Sequence, residues 1–158
     1  MDLLPLFEWC EASWLGQLVR TSTWLFPVIE AVHLLGLSLL GGVVLVVDLR
    51  LLGVMLREQP VSTLGRGLQP WLNRGVALML STGFLLFISE AVKCYHNPAF
   101  RVKMATLPLA LAFMYFVRRP AVLREKPPGE WSGRALAAVS IMLWFTVAAA
   151  GRWIGLSS

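Results

Sequence analysis

Residues Trp24–Leu56, WLFPVIEAVHLLGLSLLGGVVLVVDLRLLGVML, decide the fold of this chain. The stretch is too long and too apolar for a helix of a soluble protein, so it predicts a membrane-spanning helix. Glu30, His33 and Asp48 interrupt it. An ionisable side chain at that depth is costly unless it is paired, bound to a ligand or hydrated. These positions are therefore the first candidates for a functional site.

The composition of the whole chain agrees with a membrane protein. Its 158 residues predict a single domain, 1–158. Only 15% of the residues are charged and 57% are hydrophobic, whereas soluble domains carry about 25% charged residues. The net charge of +5 could indicate a nucleic-acid partner, but the basic residues lie mostly in short loops between apolar runs. That distribution predicts contact with a lipid bilayer and no nucleic acid.

Three further apolar runs predict an all-α fold, an integral membrane four-helix bundle. Pro70 is well placed to begin the second helix, Asn97 to cap the third, Pro120 to end it, and Ser132 to cap the fourth. A shorter N-terminal segment, about 3–19, predicts an amphipathic helix that lies in the membrane interface. The predicted spans are about 22–56, 70–93, 98–119 and 134–154.

The distribution of arginine and lysine predicts the orientation. Four spans place both termini on one side, and the loops 57–74 and 118–134 hold most of the basic residues: Arg57, Arg66, Arg74, Arg118, Arg119, Arg124, Lys126 and Arg134. Because cytoplasmic loops carry the excess of basic residues, these loops are predicted to be cytoplasmic. Both termini are then outside, which means periplasmic for a protein of a bacterial inner membrane.

A stripe along the first span predicts a polar pocket inside the bundle. The three/four spacing that joins Glu30, His33 and Asp48 places them on one helix face, which we expect to point toward protein. Glu30 and His33 belong to the outer half of the membrane. Charged residues from the other helices reach the same half, and the predicted pocket consists of Glu30, His33, Glu90, Lys103 and Arg152.

Several interpretations of this pocket are open from the residues alone. It could be a network of ion pairs that fixes the helix register. It could hold a haem with His33 as axial ligand, Glu30 and Arg152 as supporting or propionate-binding groups, and nearby glycines leaving room for the porphyrin. It could be a copper or zinc site that uses His33, Glu30 and His96, or a proton or ion relay through Glu30, His33 and Asp48. A two-metal site is disfavoured because Glu-x-x-His occurs only once.

Two structural expectations accompany these functional ones. Asp48 is expected to pair with an arginine, and the candidates are Arg74, Arg118 and Arg119. Cys10 and Cys94 fall on the same side of the membrane, so a disulfide could form. We nevertheless expect unpaired, inert thiols.

The sequence lacks the common catalytic and cofactor-attachment motifs of soluble enzymes. It has no C-x-x-C-H haem attachment motif, no Walker loop, no G-x-S-x-G elbow and no zinc-protease helix. We therefore expect that the chain is not an enzyme by itself. The functional classes left are a haem- or metal-binding redox subunit, an accessory subunit of a larger membrane complex or homo-oligomer, and a small-solute or ion transporter.

Four segments in order resemble a family of small bacterial inner-membrane proteins of unknown function: PVIEAVHLLG (27–36), DLRLLG (48–53), NPAFRVK (97–103) and GRWIG (151–155). This resemblance implies a four-span fold and no established activity. The His33-containing helix is more loosely similar to membrane cytochrome b and CopD-type copper-resistance bundles, which implies haem b or copper at His33. Unlike the cytochrome bundles, the chain has no second histidine within a predicted span.

Overall fold

The computed structural model describes residues 3–124 and 128–156, and this part of the chain is helical without strands. Lys126, one of the basic residues of the second predicted loop, lies outside the described residues. Four helices are long and apolar enough to cross a membrane. They are α3 (Leu25–Leu51), α4 (Val61–Ser89), the helix Pro98–Leu123, and α8 (Glu130–Leu156). The predicted all-α four-helix bundle of a membrane protein is confirmed.

The third span is a composite helix. It consists of α6 (Pro98–Ala112), a π-helical segment (Phe113–Arg118) and α7 (Arg119–Leu123). Asn97 caps it as predicted, since its side-chain oxygen accepts a hydrogen bond of 2.9 Å from the backbone N–H of Ala99. A short helix, α5 (Ala91–His96), connects α4 to this span.

Helix α3 forms the centre of the bundle and packs against both α4 and α8. Its Leu40, Val43 and Val44 form a buried core with Leu72, Val76 and Met114. The large apolar residues of the outer surface remain exposed, among them Leu35, Phe116 and Phe145. Such a surface suits contact with lipid, where apolar side chains are stable without protein around them.

The helix boundaries differ from the sequence prediction at two prolines and one predicted cap. Helix α4 begins at Val61, well before Pro70, and ends at Ser89, while the third span continues through Pro120 to Leu123. Ser132 lies inside α8, which begins at Glu130. A proline removes one helical hydrogen bond, but membrane helices tolerate this loss where neighbouring groups compensate for it. Proline was therefore the wrong boundary signal at positions 70 and 120.

The N-terminal segment forms two helices where one amphipathic helix was predicted. They are α1 (Leu4–Glu11) and α2 (Trp14–Thr21). Ser13 separates them: its hydroxyl donates to the carbonyl of Cys10 at 2.6 Å and accepts from the N–H of Gly16 at 3.2 Å. This is the N-cap geometry that begins a new helix.

The hairpin of α1 and α2 docks on one end of the bundle. Glu11 accepts a 2.8 Å hydrogen bond from the backbone N–H of Val92 in α5, and its other oxygen pairs with Arg20. Gly16 lies so close to α4 that a Cβ there would be 2.6 Å from the carbonyl oxygen of Ile88. These contacts explain why Glu11 falls among apolar residues of the segment: that face contacts protein.

An aromatic cluster completes the docking of the hairpin. The ring of Phe7 lies 5.5 Å from Phe87 and 5.2 Å from Tyr95, both in edge-on geometry, while Phe87 stacks on Phe100 at 5.4 Å. Edge-on and offset pairs at these distances are favourable. We call this end, with α1, α2, α5 and the start of α6, the His33 end. The opposite end is the arginine-rich end, defined by Arg50, Arg57, Arg66, Arg119, Arg124 and Arg134.

Candidate functional site

His33 is held by a directed chain of hydrogen bonds between α3 and α4. Its Nδ1 lies 2.7 Å from the hydroxyl oxygen of Thr82, and that hydroxyl donates to the carbonyl of Leu78 at 2.6 Å. A hydroxyl has only one proton to donate, so the hydrogen-bond network assigns the proton of the first bond to Nδ1 of His33. In a neutral ring, Nε2 then carries the lone pair that can bind a metal or accept a proton.

Small residues let the imidazole fit against α4. A Cβ at Gly83 would lie 3.3 Å from Cε1 of His33, which is closer than most Cβ atoms approach. The ring is half-buried, and Thr82 beside it is buried. His33 is therefore positioned within the helix interface, as its place on the stripe predicted.

Lys103 of α6 approaches the same region from across the bundle. Its Nζ lies 3.4 Å from the point that a Cβ at Gly151 of α8 would occupy. The ammonium group is half-buried and makes no ion pair or hydrogen bond with the residues that the structure describes. A half-buried cation that has no counter-ion among these residues, in the same half of the bundle as His33, makes this region suitable for an anionic group.

The other three predicted pocket residues do not join His33 and Lys103. Glu30 is exposed and has no ion pair or hydrogen bond within residues 3–124 and 128–156. The expectation that Glu30 faces the bundle interior together with His33 is therefore wrong for the carboxylate. Arg152 is also exposed, and Glu90 pairs with Lys93 at 3.4 Å beyond the end of α4.

The second histidine lies apart from the bundle interior. His96 is exposed at the end of α5, where its ring contacts that of Tyr95 at 5.1 Å. In the described part of the chain, no group of three or more His, Cys, Asp or Glu side chains is arranged to hold a metal ion. A copper or zinc site shared by His33 and His96 thus lacks support from the geometry.

Cys10 and Cys94 are free thiols, as expected. Cys94 is buried under the N-terminal hairpin, and burial, with a smaller contribution from the charge of Glu90, raises the pKa of its thiol to about 11. A thiol with that pKa is protonated at neutral pH. It is therefore neither a good nucleophile nor a ready metal ligand.

A second polar cluster lies in the other half of the bundle. Arg118 donates from Nε to Oδ1 of Asp48 at 2.7 Å and from Nη2 to the carbonyl of Val44 at 3.0 Å. Asp48 is fully buried and Arg118 nearly so. Of the three arginines predicted as partners, Arg118 is the one that pairs with Asp48.

Sequence reasoning missed the surroundings of this pair. Ser140 of α8 is fully buried beside the Asp48 carboxylate. Its hydroxyl oxygen and Oδ2 of Asp48 are the two buried side-chain atoms for which the described residues offer no well-formed hydrogen bond. The π-helical segment that ends at Arg118 was also missed, since nothing in its letters FMYFVR differs from an ordinary apolar helix. For Thr82 a signal existed, because it is a hydroxyl residue within the most apolar part of α4.

Comparison with known proteins gives a family and no activity. The sequence profile of a family described as "Family of unknown function (DUF6644)" matches residues 6–157. Neither the curated proteins nor the solved structures gave a match. The matched range includes most of the N-terminal hairpin and all four long helices, with His33, Lys103, Asp48 and Arg118. The chain belongs to the family of unknown function DUF6644.

Proposed function

We propose that this integral membrane protein binds haem b through His33 and acts as a redox or accessory subunit in the membrane. One observation carries the proposal: Nδ1 of His33 lies 2.7 Å from the hydroxyl of Thr82, which itself donates to Leu78, so we assign the proton to Nδ1 and the ligand role to Nε2. Histidines that bind metals in proteins are commonly held in this way through their other ring nitrogen. His33 is therefore the residue that would hold the haem iron.

Further features of the site fit a haem better than a bare metal ion. Lys103 has no counter-ion within residues 3–124 and 128–156, which suits a propionate. Gly83 lets the ring of His33 pack closely against α4, which holds the imidazole in place. A copper or zinc ion would need more ligands than His33 alone. His33 would hold the haem iron, and a bound haem would supply one-electron chemistry.

The rest of the proposal concerns the setting of the site. The chain lacks the motifs of soluble-type catalysis, so we propose that it works with partner subunits or as a homo-oligomer rather than as an enzyme by itself. We propose that it lies in a bacterial inner membrane, and the arginine distribution supports an orientation with both termini periplasmic. His33 would then lie in the periplasmic half, and Asp48 in the cytoplasmic half.

The test is the absorption spectrum of the purified protein. We expect protein expressed with a haem precursor and purified in mild detergent to show a Soret band and to release haem b in the pyridine haemochrome assay. His33→Ala should abolish the band because the axial ligand is removed. His96→Ala is the matched control, since it removes the exposed histidine, and it should retain the band.

Two results would contradict the proposal. One is folded wild-type protein that contains no haem after expression with excess precursor. The other is equal haem retention in His33→Ala and wild type. Metal analysis of the same samples distinguishes the alternative, because copper bound in proportion to protein, without a Soret band, would favour a copper site.

A further inference from the structure

A cavity of about 300 Å³ opens at the arginine-rich end, far from His33. It lies between the end of α3, the loop that follows it, and the start of α8. The polar side chains that line it are Arg50, Glu130 and Arg134. Three glycines also line it, and they leave space because they have no side chain: Gly53, Gly129 and Gly133. Neither the haem proposal nor the packing of the bundle uses this space.

Arg50 brings a fixed positive charge to the cavity. Its Nε donates to the carbonyl of Gln59 at 2.7 Å and its Nη2 to the carbonyl of Arg57 at 3.0 Å. These partners are neutral, so they orient the guanidinium group without cancelling its charge. A guanidinium held in place binds a phosphate with less loss of side-chain entropy than a mobile one.

Arg134 contributes the second charge from the first turns of α8. It pairs with Glu130 at 2.7 Å, but both side chains are largely exposed, and such a pair contributes little to stability. A phosphate could therefore replace the carboxylate as its partner. Arg134 also lies over the ring of Trp131, which is 82% exposed. Exposed tryptophans of this kind are enriched at the level of lipid headgroups.

The position of the cavity along the bundle favours a lipid over a soluble anion. It opens where α3 ends at Leu51 and α8 begins at Glu130, and both are ends of helices long and apolar enough to cross a membrane. Leu51 and Leu52 line it together with the arginines, so apolar surface for an acyl chain adjoins the charges. Basic pockets between membrane helices at this depth are suited to anionic headgroups.

We propose that this cavity binds the phosphate of an anionic phospholipid, with Arg50 and Arg134 as the phosphate-binding residues. Arg50 stays on its carbonyl partners and presents its remaining N–H groups to the phosphate. Arg134 exchanges its ion pair with Glu130 for one with the phosphate and so provides the second guanidinium group of the site. Arginine is suited to this role because its planar group donates two parallel hydrogen bonds to phosphate oxygens.

The experiment is native mass spectrometry of the full-length protein in mild detergent, mixed with phosphatidylglycerol, with phosphatidylcholine of the same acyl chains, or with inorganic phosphate. We expect at least fivefold more phosphatidylglycerol than phosphatidylcholine to remain bound, and no retained inorganic phosphate. Arg50→Gln and Arg134→Gln should each reduce the retained phosphatidylglycerol severalfold. Glu130→Gln should increase it, because the carboxylate that competes for Arg134 is removed.

Arg74→Gln is the matched control for charge. Arg74 lies over the ring of Trp71 much as Arg134 lies over Trp131, but it does not line the cavity. The proposal is wrong if Arg74→Gln lowers retention as much as Arg134→Gln, or if the two lipids bind equally. Retention of inorganic phosphate without lipid would also overturn it. Arg50 also bonds to the loop that follows α3, so Arg50→Gln could unfold the protein. In that case the result with Arg134→Gln decides the test.

Discussion

At the scale of single residues, the informative feature is the order of donors and acceptors from His33 through Thr82 to Leu78. The sequence could predict that His33 faces protein, because its spacing with the buried residues of α3 is helical. It could not predict Thr82 as the partner, since Ser81 and Thr82 both lie in the same apolar run. The rotation of α4 against α3 decides between them: Thr82 is buried and Ser81 is exposed.

Thr82→Val should weaken the binding of haem. Valine has nearly the same shape, but it cannot accept the Nδ1 proton, so the ring loses the bond that fixes its orientation and tautomer. Loss of such a partner typically costs about 10- to 100-fold in metal affinity. The measurement is haem titration of the purified protein, followed by the Soret band.

Ser81→Ala is the neighbouring control for this substitution. Ser81 is exposed and bonds only to the carbonyl of Ala77 in its own helix, at 2.8 Å. It should bind haem like the wild type. Nitrogen NMR of the haem-free protein gives a second readout, because the ring of His33 should be protonated at Nδ1. An Nε2-protonated ring would contradict the assignment of donors.

At the scale of helices, the start of the third span was predictable from the sequence, but its end and its π-helical segment were not. Hydropathy predicted its existence and Asn97 predicted its start. Its end was misplaced, since Pro120 lies inside the helix. The π-helical segment just before that proline has a wider turn, in which the N–H of Arg119 bonds to the carbonyl of Met114, five residues back. This turn rotates Arg118 relative to a regular α-helix, and here Arg118 lies against Asp48.

Asp48→Asn and Arg118→Met should each destabilise the protein. Either change leaves one member of the buried pair without its partner, which typically costs about 3–5 kcal/mol. The double variant Asp48→Leu/Arg118→Met should recover much of this loss, because no charge is left buried. Reversible unfolding in mixed detergent measures all of these free energies.

The double variant decides whether the pair acts only in stability. If it is as unstable as the single variants, the stability of the cluster depends on more than the ion pair. Hydrogen bonds from Ser140 or a bound water would then contribute to it. Glu130→Gln is a suitable control, because it breaks an exposed pair with Arg134. That change should alter the free energy of unfolding by no more than a few tenths of a kcal/mol.

At the scale of the whole molecule, the bundle was predictable and the docked hairpin was not. Four apolar runs were enough for the bundle, because a bilayer requires helices of that length. The N-terminal segment has a helical pattern that fits either lipid or protein, and only contacts distant in sequence decide between them. Glu11 with Val92, and Gly16 with Ile88, are such contacts.

Gly16→Ala should detach the hairpin from the bundle. Its Cβ would lie 2.6 Å from the backbone oxygen of Ile88, and a backbone atom cannot move aside as a flexible side chain would. We expect a loss of roughly 1–3 kcal/mol, typical of overpacking. Cleavage after Arg20 by trypsin should become faster while the four long helices remain protected.

Gly41→Ala serves as the control, since a Cβ at that position has no neighbour within 4 Å. It should leave both stability and the rate of cleavage unchanged. Equal protection of Arg20 in Gly16→Ala and the wild type would mean that the hairpin does not depend on this close approach.

The hydrogen bond from Val92 to Glu11 has a consequence for biosynthesis. When the ribosome has made the first two helices, the backbone that Glu11 will bind has not yet been translated. The hairpin therefore cannot dock until α4 and α5 have been made, and until then we expect the carboxylate of Glu11 to be hydrated. The hairpin is synthesised before α5 but reaches its final position only after α5 is made, so truncation of the nascent chain before Val92 should leave the hairpin accessible to proteases.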